Sequence, residues 1–180
     1  MQTQTETRSA PRETTPGLGL DDLAAMSVEE LTVRYGRGTV PDSLRLLDGR
    51  PICRMLAVRG LPVTTTARLA ASQRFPWAGK TFRAESDGRG EGINRVRLFG
   101  THEWYPFSTS IASSVMDGKP CILLDYDRKE NPFFIRAIRD ELREVSPGLF
   151  LGPALIDTKR GTPTLALFFA CDTRASAGHR

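Results

Sequence analysis

Histidines and clustered carboxylates are the usual carriers of acid/base chemistry, and this chain offers few of them. Of its two histidines, only His102 lies in a segment that is expected to fold. Asp125 and Asp127 share one face of a strand-like segment, because side chains alternate along a strand. With His102 they could act as general acid and base, or they could hold a hard cation. The alternative is that both carboxylates interact with the dipole at the N-terminus of a following helix, and that His102 is a half-exposed turn residue.

Aromatic side chains are concentrated in the second half of the chain, where they could form the walls of a binding pocket. Alternation places Tyr105, Phe107, Thr109 and Ile111 on one face of a strand, and a buried Tyr105 hydroxyl would need a polar partner. Rings combined with one hydroxyl are typical of a small-molecule pocket. From strand parity and aromatic placement we predict the following lining: Met55, Trp77, Trp104, Tyr105, Phe107, Thr109, Tyr126 and Phe168.

Charge and cysteine patterns argue against several classes of protein. The net charge of +4 comes from basic residues interleaved with acidic ones, so no one-signed face for nucleic acid is expected. The three cysteines are far apart in apolar runs, which indicates buried thiols rather than a disulfide framework or a metal site. No apolar stretch reaches the roughly 20 residues of a membrane span, and residues 1–17 lack the apolar centre of a secretory signal. A cytoplasmic protein without membrane contact is therefore expected.

Two helices are predicted in the first half of the chain. Ser27 and Glu30 form a capping box, so a helix is expected from Val28 to Tyr35. A second helix is expected over 63–73, where small apolar residues suit close packing.

A third, late helix is predicted from a longer amphipathic pattern. Asn131 is its expected N-cap, and Pro132 suits the first helical position because its missing N–H does no harm there. The residues that share its apolar face are Phe134, Ile135, Ile138, Leu142 and Val145.

The remaining apolar segments are separated by turn signals and predict about seven strands. They span 52–58, 77–84, 93–99, 104–111, 120–126, 149–156 and 164–171. Gly88, Gly90 and Gly92 join strand to strand rather than strand to helix, so a hairpin turn is expected over 87–92 and no nucleotide cofactor. The last two strands should pair with each other as a hairpin.

These elements predict one α+β domain over 18–174, between a disordered tail at 1–17 and a C-terminal tail at 175–180. Antiparallel strands in this number fit a strongly curled sheet or partial β-barrel, covered by N-terminal helices and the late amphipathic helix. Small barrels commonly hold one apolar ligand, so an interior pocket is expected.

Four segments, which cover most of residues 34–156, resemble a known group of proteins. They read YGRGTVPDSLRLLDGRPICRMLAVRG, FPWAGKTF, GINRVRL and LLDYDRKENPFFIRAIRDELREVSPGLFLGPALI. In these segments the chain is similar to small actinobacterial proteins and to the pericyclic cyclases of macrolactone polyketide pathways, of the streptoseomycin and nargenicin type. The resemblance implies a cofactor-free catalyst, usually a homo-oligomer, that folds a polyene macrolactone for transannular (4+2) or (6+4) cycloaddition inside a cone-like α+β barrel.

Under this resemblance the absence of a catalytic constellation is expected, because a pericyclic step needs no nucleophile, base or metal. A hydrogen bond to a carbonyl conjugated with the dienophile would assist the reaction, and Tyr105, Trp104 or Trp77 are the candidate catalytic donors. Two alternatives stay open. One is a lipocalin-like carrier that binds an apolar small molecule without turnover, and the other is the dehydratase-type acid/base enzyme considered above.

Overall fold

The positions of most of the chain are given by a computed structural model. It describes residues 17–62, 64–65, 76–157, 161 and 163–174. The helix predicted over 63–73 lies outside these ranges except for residues 64 and 65. The predicted tails at 1–17 and 175–180 also lie outside them, except for Gly17.

Two short helices and a 3-10 turn precede the first strand. They are α1 (Leu20–Ala24), α2 (Val28–Gly36) and the turn Leu44–Leu47. The predicted capping box is confirmed, since Ser27 Oγ accepts from Glu30 N at 3.2 Å and Glu30 Oε2 accepts from Ser27 N at 2.8 Å. Among the described residues, no helix is both long enough and apolar enough to cross a membrane.

One antiparallel sheet of eight strands forms the body of the molecule. Its strands are β1 (Ile52–Val58), β2 (Trp77–Ala84), β3 (Arg89–Arg97), β4 (Thr101–Ser113), β5 (Pro120–Asp125), β6 (Ile138–Ser146), β7 (Leu149–Ile156) and β8 (Thr164–Asp172). From β2 to β8 each strand pairs with the next one in sequence, and β1 pairs with β8. The predicted β7–β8 hairpin is confirmed.

The two edges of the sheet meet, so the sheet is nearly closed into a barrel. Gly49, just before β1, exchanges two backbone hydrogen bonds with Phe82 of β2, at 3.0 and 2.9 Å. Arg95 on β3 reaches across the same seam and donates from Nη2 to the Pro51 carbonyl at 3.0 Å. The predicted α+β fold with a strongly curled antiparallel sheet and N-terminal helices is therefore confirmed, with eight strands in place of seven.

The additional strand is β6. It lies in the segment that was predicted as the late amphipathic helix, and that prediction was wrong over most of its length. Only Phe133–Arg136 is helical, here named α3, and residues 138–146 form β6. The segment satisfies both a helical and an alternating apolar pattern, and pairing with β5 and β7 on both sides selects the strand. Asn131 does not cap the helix, because its Oδ1, the atom that would accept from a helical N–H, has no partner among the described residues. Its Nδ2 donates to the carbonyls of Pro106 and Tyr126.

The glycines predicted to form a turn over 87–92 lie partly in a strand. The turn ends at residue 88, and Gly90 and Gly92 belong to β3. A β-carbon on Gly92 would stand only 2.4 Å from the ring of Phe107, which faces it on β4. Glycine at this position therefore gives an aromatic ring room inside the barrel.

Apolar side chains form two clusters, one inside the barrel and one outside it. The inner cluster fills the end of the barrel nearest the 3-10 turn, and its members include Leu44, Leu47, Phe82, Phe107, Ile122, Leu124, Leu142 and Phe150. The outer cluster joins α1 and α2 to the outer faces of β1, β7 and β8, and its members include Leu23, Leu31, Tyr35, Leu56, Leu149, Leu151 and Phe168. The helices thus cover one outer side of the barrel.

Two of the three cysteines, far apart in sequence, are neighbours in the fold. Cys53 and Cys171 lie directly opposite each other on β1 and β8, with their sulfur atoms 2.7 Å apart. All three cysteines are free thiols.

Candidate ligand cavity

A cavity of about 530 Å³ occupies the end of the barrel opposite the 3-10 turn. Leu44 N donates to Asp87 O in the β2–β3 turn, whereas Trp77 and Val96, at the other ends of those strands, line the cavity. Its apolar lining consists of Met55, Pro76, Trp77, Val96, Leu98, Trp104, Ile135, Ile138, Ala154, Leu167 and Phe169. Its polar lining consists of Lys80, Asn94, Tyr105, Tyr126 and Asp140. The volume falls within the roughly 300–1,000 Å³ of small-molecule pockets.

A β-bulge brings two neighbouring aromatic residues to the cavity. On β4, Trp104 pairs with Asn94 and Pro106 pairs with Ile93, so Tyr105 is one extra residue without a partner in β3. Tyr105 has a positive φ of 61°, which is uncommon for a residue with a β-carbon. The bulge interrupts alternation, and both Trp104 and Tyr105 line the cavity.

A network of buried polar side chains forms one part of the cavity wall. Lys80 Nζ donates to Asp140 Oδ2 at 2.8 Å, to Tyr126 OH at 2.5 Å and to Asn94 Oδ1 at 3.1 Å. The Tyr126 hydroxyl donates to Asp140 Oδ2 at 3.0 Å, and the Trp77 indole N–H donates to Asn94 Oδ1 at 3.0 Å. All three N–H groups of the ammonium are therefore used within the protein.

The Lys80 ammonium is held as a cation in this apolar setting. Burial disfavours the charge, but the Asp140 carboxylate and then Tyr126 outweigh it, so the pKa of Lys80 is raised. The rings of Trp77, Phe107, Tyr126 and Phe169 surround the ammonium at 4.9 to 5.5 Å. An amine that stays protonated and fully hydrogen-bonded does not act as a nucleophile, so Lys80 is not suited to imine chemistry.

The Tyr126 hydroxyl is likewise held in its neutral form. Desolvation and then the nearby Asp140 carboxylate raise the pKa of Tyr126. Asp140 itself is 4% exposed, and its Oδ1 has no hydrogen-bond partner among the described residues. The network therefore leaves one acceptor atom unused.

Two polar groups of the lining are free to meet a ligand. Among the described residues, neither the Trp104 indole N–H nor the Tyr105 hydroxyl has a hydrogen-bond partner. Trp104 is 38% exposed and Tyr105 is half-buried. Of the three donors predicted from the sequence, these two are available, whereas the Trp77 N–H is already bound to Asn94.

Five of the eight predicted site residues line the cavity, namely Met55, Trp77, Trp104, Tyr105 and Tyr126. The structure places the other three elsewhere. Phe107 is fully buried against Phe82 and Tyr126 in the filled end of the barrel, and Thr109 lies beyond it, beside Gly90. Phe168 faces the outer cluster, and its neighbour Phe169 lines the cavity instead.

The carboxylates and histidine of the acid/base alternative do not meet at this cavity. Asp125 and Asp127 line a separate polar depression, where Asp127 accepts from Arg136 Nε at 2.6 Å. His102 stacks on Trp104, and its Nε2 donates to the Leu98 carbonyl at 2.9 Å. Among the described residues, no group of three or more metal-ligating side chains is present.

Sequence reasoning missed the polar network because its members were hidden in different ways. Lys80 shares a strand face with Phe82, which was a usable signal of an inward lysine. Asp140 lay within the segment predicted as a helix, so its partnership with Lys80 could not be deduced.

The comparisons with protein families, curated proteins and solved structures find no match to this chain.

Proposed function

We propose that the barrel binds an apolar polyene macrolactone or related polyketide and promotes its intramolecular, transannular cycloaddition without a cofactor. The observation that carries this proposal is the half-enclosed aromatic cavity with two unengaged hydrogen-bond donors, Trp104 and Tyr105. The resemblance of four sequence segments to pericyclic cyclases points to the same chemistry.

The rate enhancement would come from shape. A rigid apolar wall that holds diene and dienophile in contact converts a rare conformer into the bound one, and such restriction can supply roughly 7–11 kcal/mol in favourable cases. The wall is suited to this because Trp77 packs edge-on against Phe169 and its N–H is fixed to Asn94, which restricts the ring.

The two free donors would assist the reaction electronically. A hydrogen bond from the Tyr105 hydroxyl or the Trp104 N–H to a conjugated carbonyl withdraws electron density from the dienophile as the new bonds form. The bulge at Tyr105 places both donors on the same wall, so one carbonyl could reach either of them.

The test is incubation of the full chain with a polyene macrolactone that cyclises slowly by itself. We expect a faster reaction and a product ratio that differs from the spontaneous one. The Trp104→Phe/Tyr105→Phe double variant should retain binding and lose much of the rate difference, whereas Asp125→Asn and Asp127→Asn, in the separate polar depression, should react as the unaltered protein does. A spontaneous product ratio with the unaltered protein would reject catalysis.

A carrier without turnover is the second candidate, since the same cavity supports binding alone. It predicts saturable quenching of tryptophan fluorescence by a ligand that is recovered unchanged. Binding by the unaltered protein with no turnover would favour the carrier.

Location and assembly remain predictions. We propose a cytoplasmic protein, as the sequence indicated, that self-associates, as the resemblance to the cyclases implies. Light scattering after size-exclusion chromatography would measure the number of subunits.

A further inference from the structure

The charge on the cavity wall is confined to one ion pair. Among the described residues that line the cavity, Lys80 and Asp140 alone carry formal charges, and their side chains are 3% and 5% exposed. Each is the other's counter-ion at 2.8 Å. The wall thus contains buried charges but no uncompensated one.

A charged guest is disfavoured in this cavity. A carboxylate or ammonium that enters the cavity loses water and meets no free counter-ion, which is costly in an apolar setting. A carboxylate could not displace Asp140 without leaving that side chain unpaired. A neutral guest has no such penalty.

We propose that the Lys80–Asp140 pair restricts the cavity to neutral guests and excludes fatty carboxylates and long-chain amines of the same shape. This inference rests on the proposed function and deepens it, because it assigns a charge class to the substrate and two specificity-determining residues to the cavity.

The pair also predicts how the preference can be reversed. Asp140→Asn keeps the size of the side chain and leaves the Lys80 ammonium without its counter-ion, so a guest carboxylate can supply the missing negative charge. Lys80→Met keeps most of the apolar stem and leaves the Asp140 carboxylate unpaired, so a guest ammonium becomes the preferred partner.

The experiment compares dodecanol, dodecanoate and dodecylammonium at neutral pH, with binding followed by the fluorescence of the two tryptophans and by calorimetry. For the unaltered full chain we expect dodecanol to bind roughly tenfold or more tightly than either ion. Asp140→Asn should bind dodecanoate most tightly, and Lys80→Met should bind dodecylammonium most tightly. Asp21→Asn and Lys119→Met, which change the same residue types outside the cavity, should keep the order of the unaltered chain.

Equal or tighter binding of dodecanoate or dodecylammonium to the unaltered chain would overturn the inference, and this comparison holds even if a variant fails to fold. Folded variants that keep the original order would also overturn it. Absence of binding by all three probes would overturn both this inference and the proposed binding function. A cavity that prefers dodecanol but does not accelerate cycloaddition would support the inference and reject the catalytic part of the function.

Discussion

Strand β6 contributes to two clusters of buried charge, one on each face. The inner charged cluster is built on Lys80 and Asp140, and the outer charged cluster on Glu141, Arg143 and Asp117. The two differ in how completely their hydrogen bonds are satisfied. Asp140 points into the barrel towards Lys80, and the residues beside it, Glu141 and Arg143, face outward beneath α2. All four of these side chains are almost completely buried. The outer charges contact a helix of the fold, whereas the inner ones lie in the cavity wall.

The outer charged cluster is saturated with hydrogen bonds. Both oxygens of Glu141 are used, Oε1 by Val115 N and Arg139, and Oε2 by the hydroxyls of Tyr35 and Ser114. Arg143 donates to both oxygens of Asp117 and also to three backbone carbonyls, those of Tyr35, Lys119 and Pro120. Since backbone carbonyls cannot be removed by substitution, Arg143 has no apolar equivalent.

The inner charged cluster consists of side chains that bind one another, and it retains one unused acceptor at Asp140 Oδ1. An isolated buried ion pair can often be replaced by apolar residues of similar size without loss of stability. Under the proposed function the inner ion pair serves the guest in the cavity, whereas the outer charged cluster attaches α2 to the sheet.

Substitution of Arg143 should have the largest effect on stability. Arg143→Met leaves Asp117 and three carbonyls without their donor, and we expect a loss of about 3–5 kcal/mol in the free energy of unfolding. The Arg143→Met/Asp117→Leu double variant should recover little of it, because the carbonyls stay unpaired. Urea unfolding followed by circular dichroism measures both values.

A surface pair provides the control for that prediction. Arg136 bonds to Asp127 at 2.6 Å, but their side chains are 44% and 60% exposed. Arg136→Met should therefore change the free energy of unfolding by less than about 1 kcal/mol. A loss as large as that of Arg143→Met would mean that burial does not distinguish these two arginines.

The inner pair should respond differently to paired substitution. Lys80→Met and Asp140→Leu each leave a buried charge alone, and each should cost about 3–5 kcal/mol. The double variant should return to within about 1 kcal/mol of the unaltered chain, which a double-mutant cycle would show as a large coupling energy. A double variant as unstable as the sum of the single losses would mean that both clusters serve the fold alone.

Much of the fold was predictable, because turns and caps are encoded locally. The capping box at Ser27 fixed the start of α2, and alternation with turn signals located seven of the eight strands. The error at β6 has a physical cause. Asp140, Glu141 and Arg143 are charged residues typical of a solvent-exposed helix face, and only pairing with distant strands and with Lys80 makes a buried strand of them.

The site was predictable in kind but less so in its members. Tyr105 lines the cavity and Phe107 is fully buried, but Ile111, which was predicted on the same inward face, is 43% exposed. The bulge at Tyr105 was not visible in the sequence, and it brings Trp104 to the cavity wall. On β8 the choice between Phe168 and Phe169 depends on a bulge at Ala166, because Leu155 pairs with Leu165 and Ala154 with Leu167, which interrupts alternation along the strand.

The outer charged cluster should also make the free energy of unfolding sensitive to acid. Hydrogen bonds from Arg143 lower the pKa of Asp117 below its ordinary value of 3.8. Because the folded-state pKa is the lower one, the stabilisation is fully present above the unfolded-state value and is lost as the pH falls through the folded-state value. Asp117→Asn should therefore flatten the decline of the urea midpoint in acid. In the Arg143→Met background, where the largest cause of the shift is absent and only the Lys119 contacts remain, the same substitution should change the acid profile much less.

The smallest effect on stability is expected at Tyr105, which lines the cavity. Its hydroxyl has no partner among the described residues, so Tyr105→Phe should change the free energy of unfolding by less than about 0.5 kcal/mol. The Tyr105→Phe variant should nonetheless bind a ketone guest more weakly than the unaltered chain does, by about 0.5–1.5 kcal/mol. Its affinity for an alkane of the same length should be unchanged. Tyr126→Phe is the matched control, since it removes a hydroxyl that three side chains share and should cost about 1–3 kcal/mol of stability. If Tyr105→Phe weakened alkane and ketone binding equally, the hydroxyl would be acting through the shape of the wall and not as a donor to the guest.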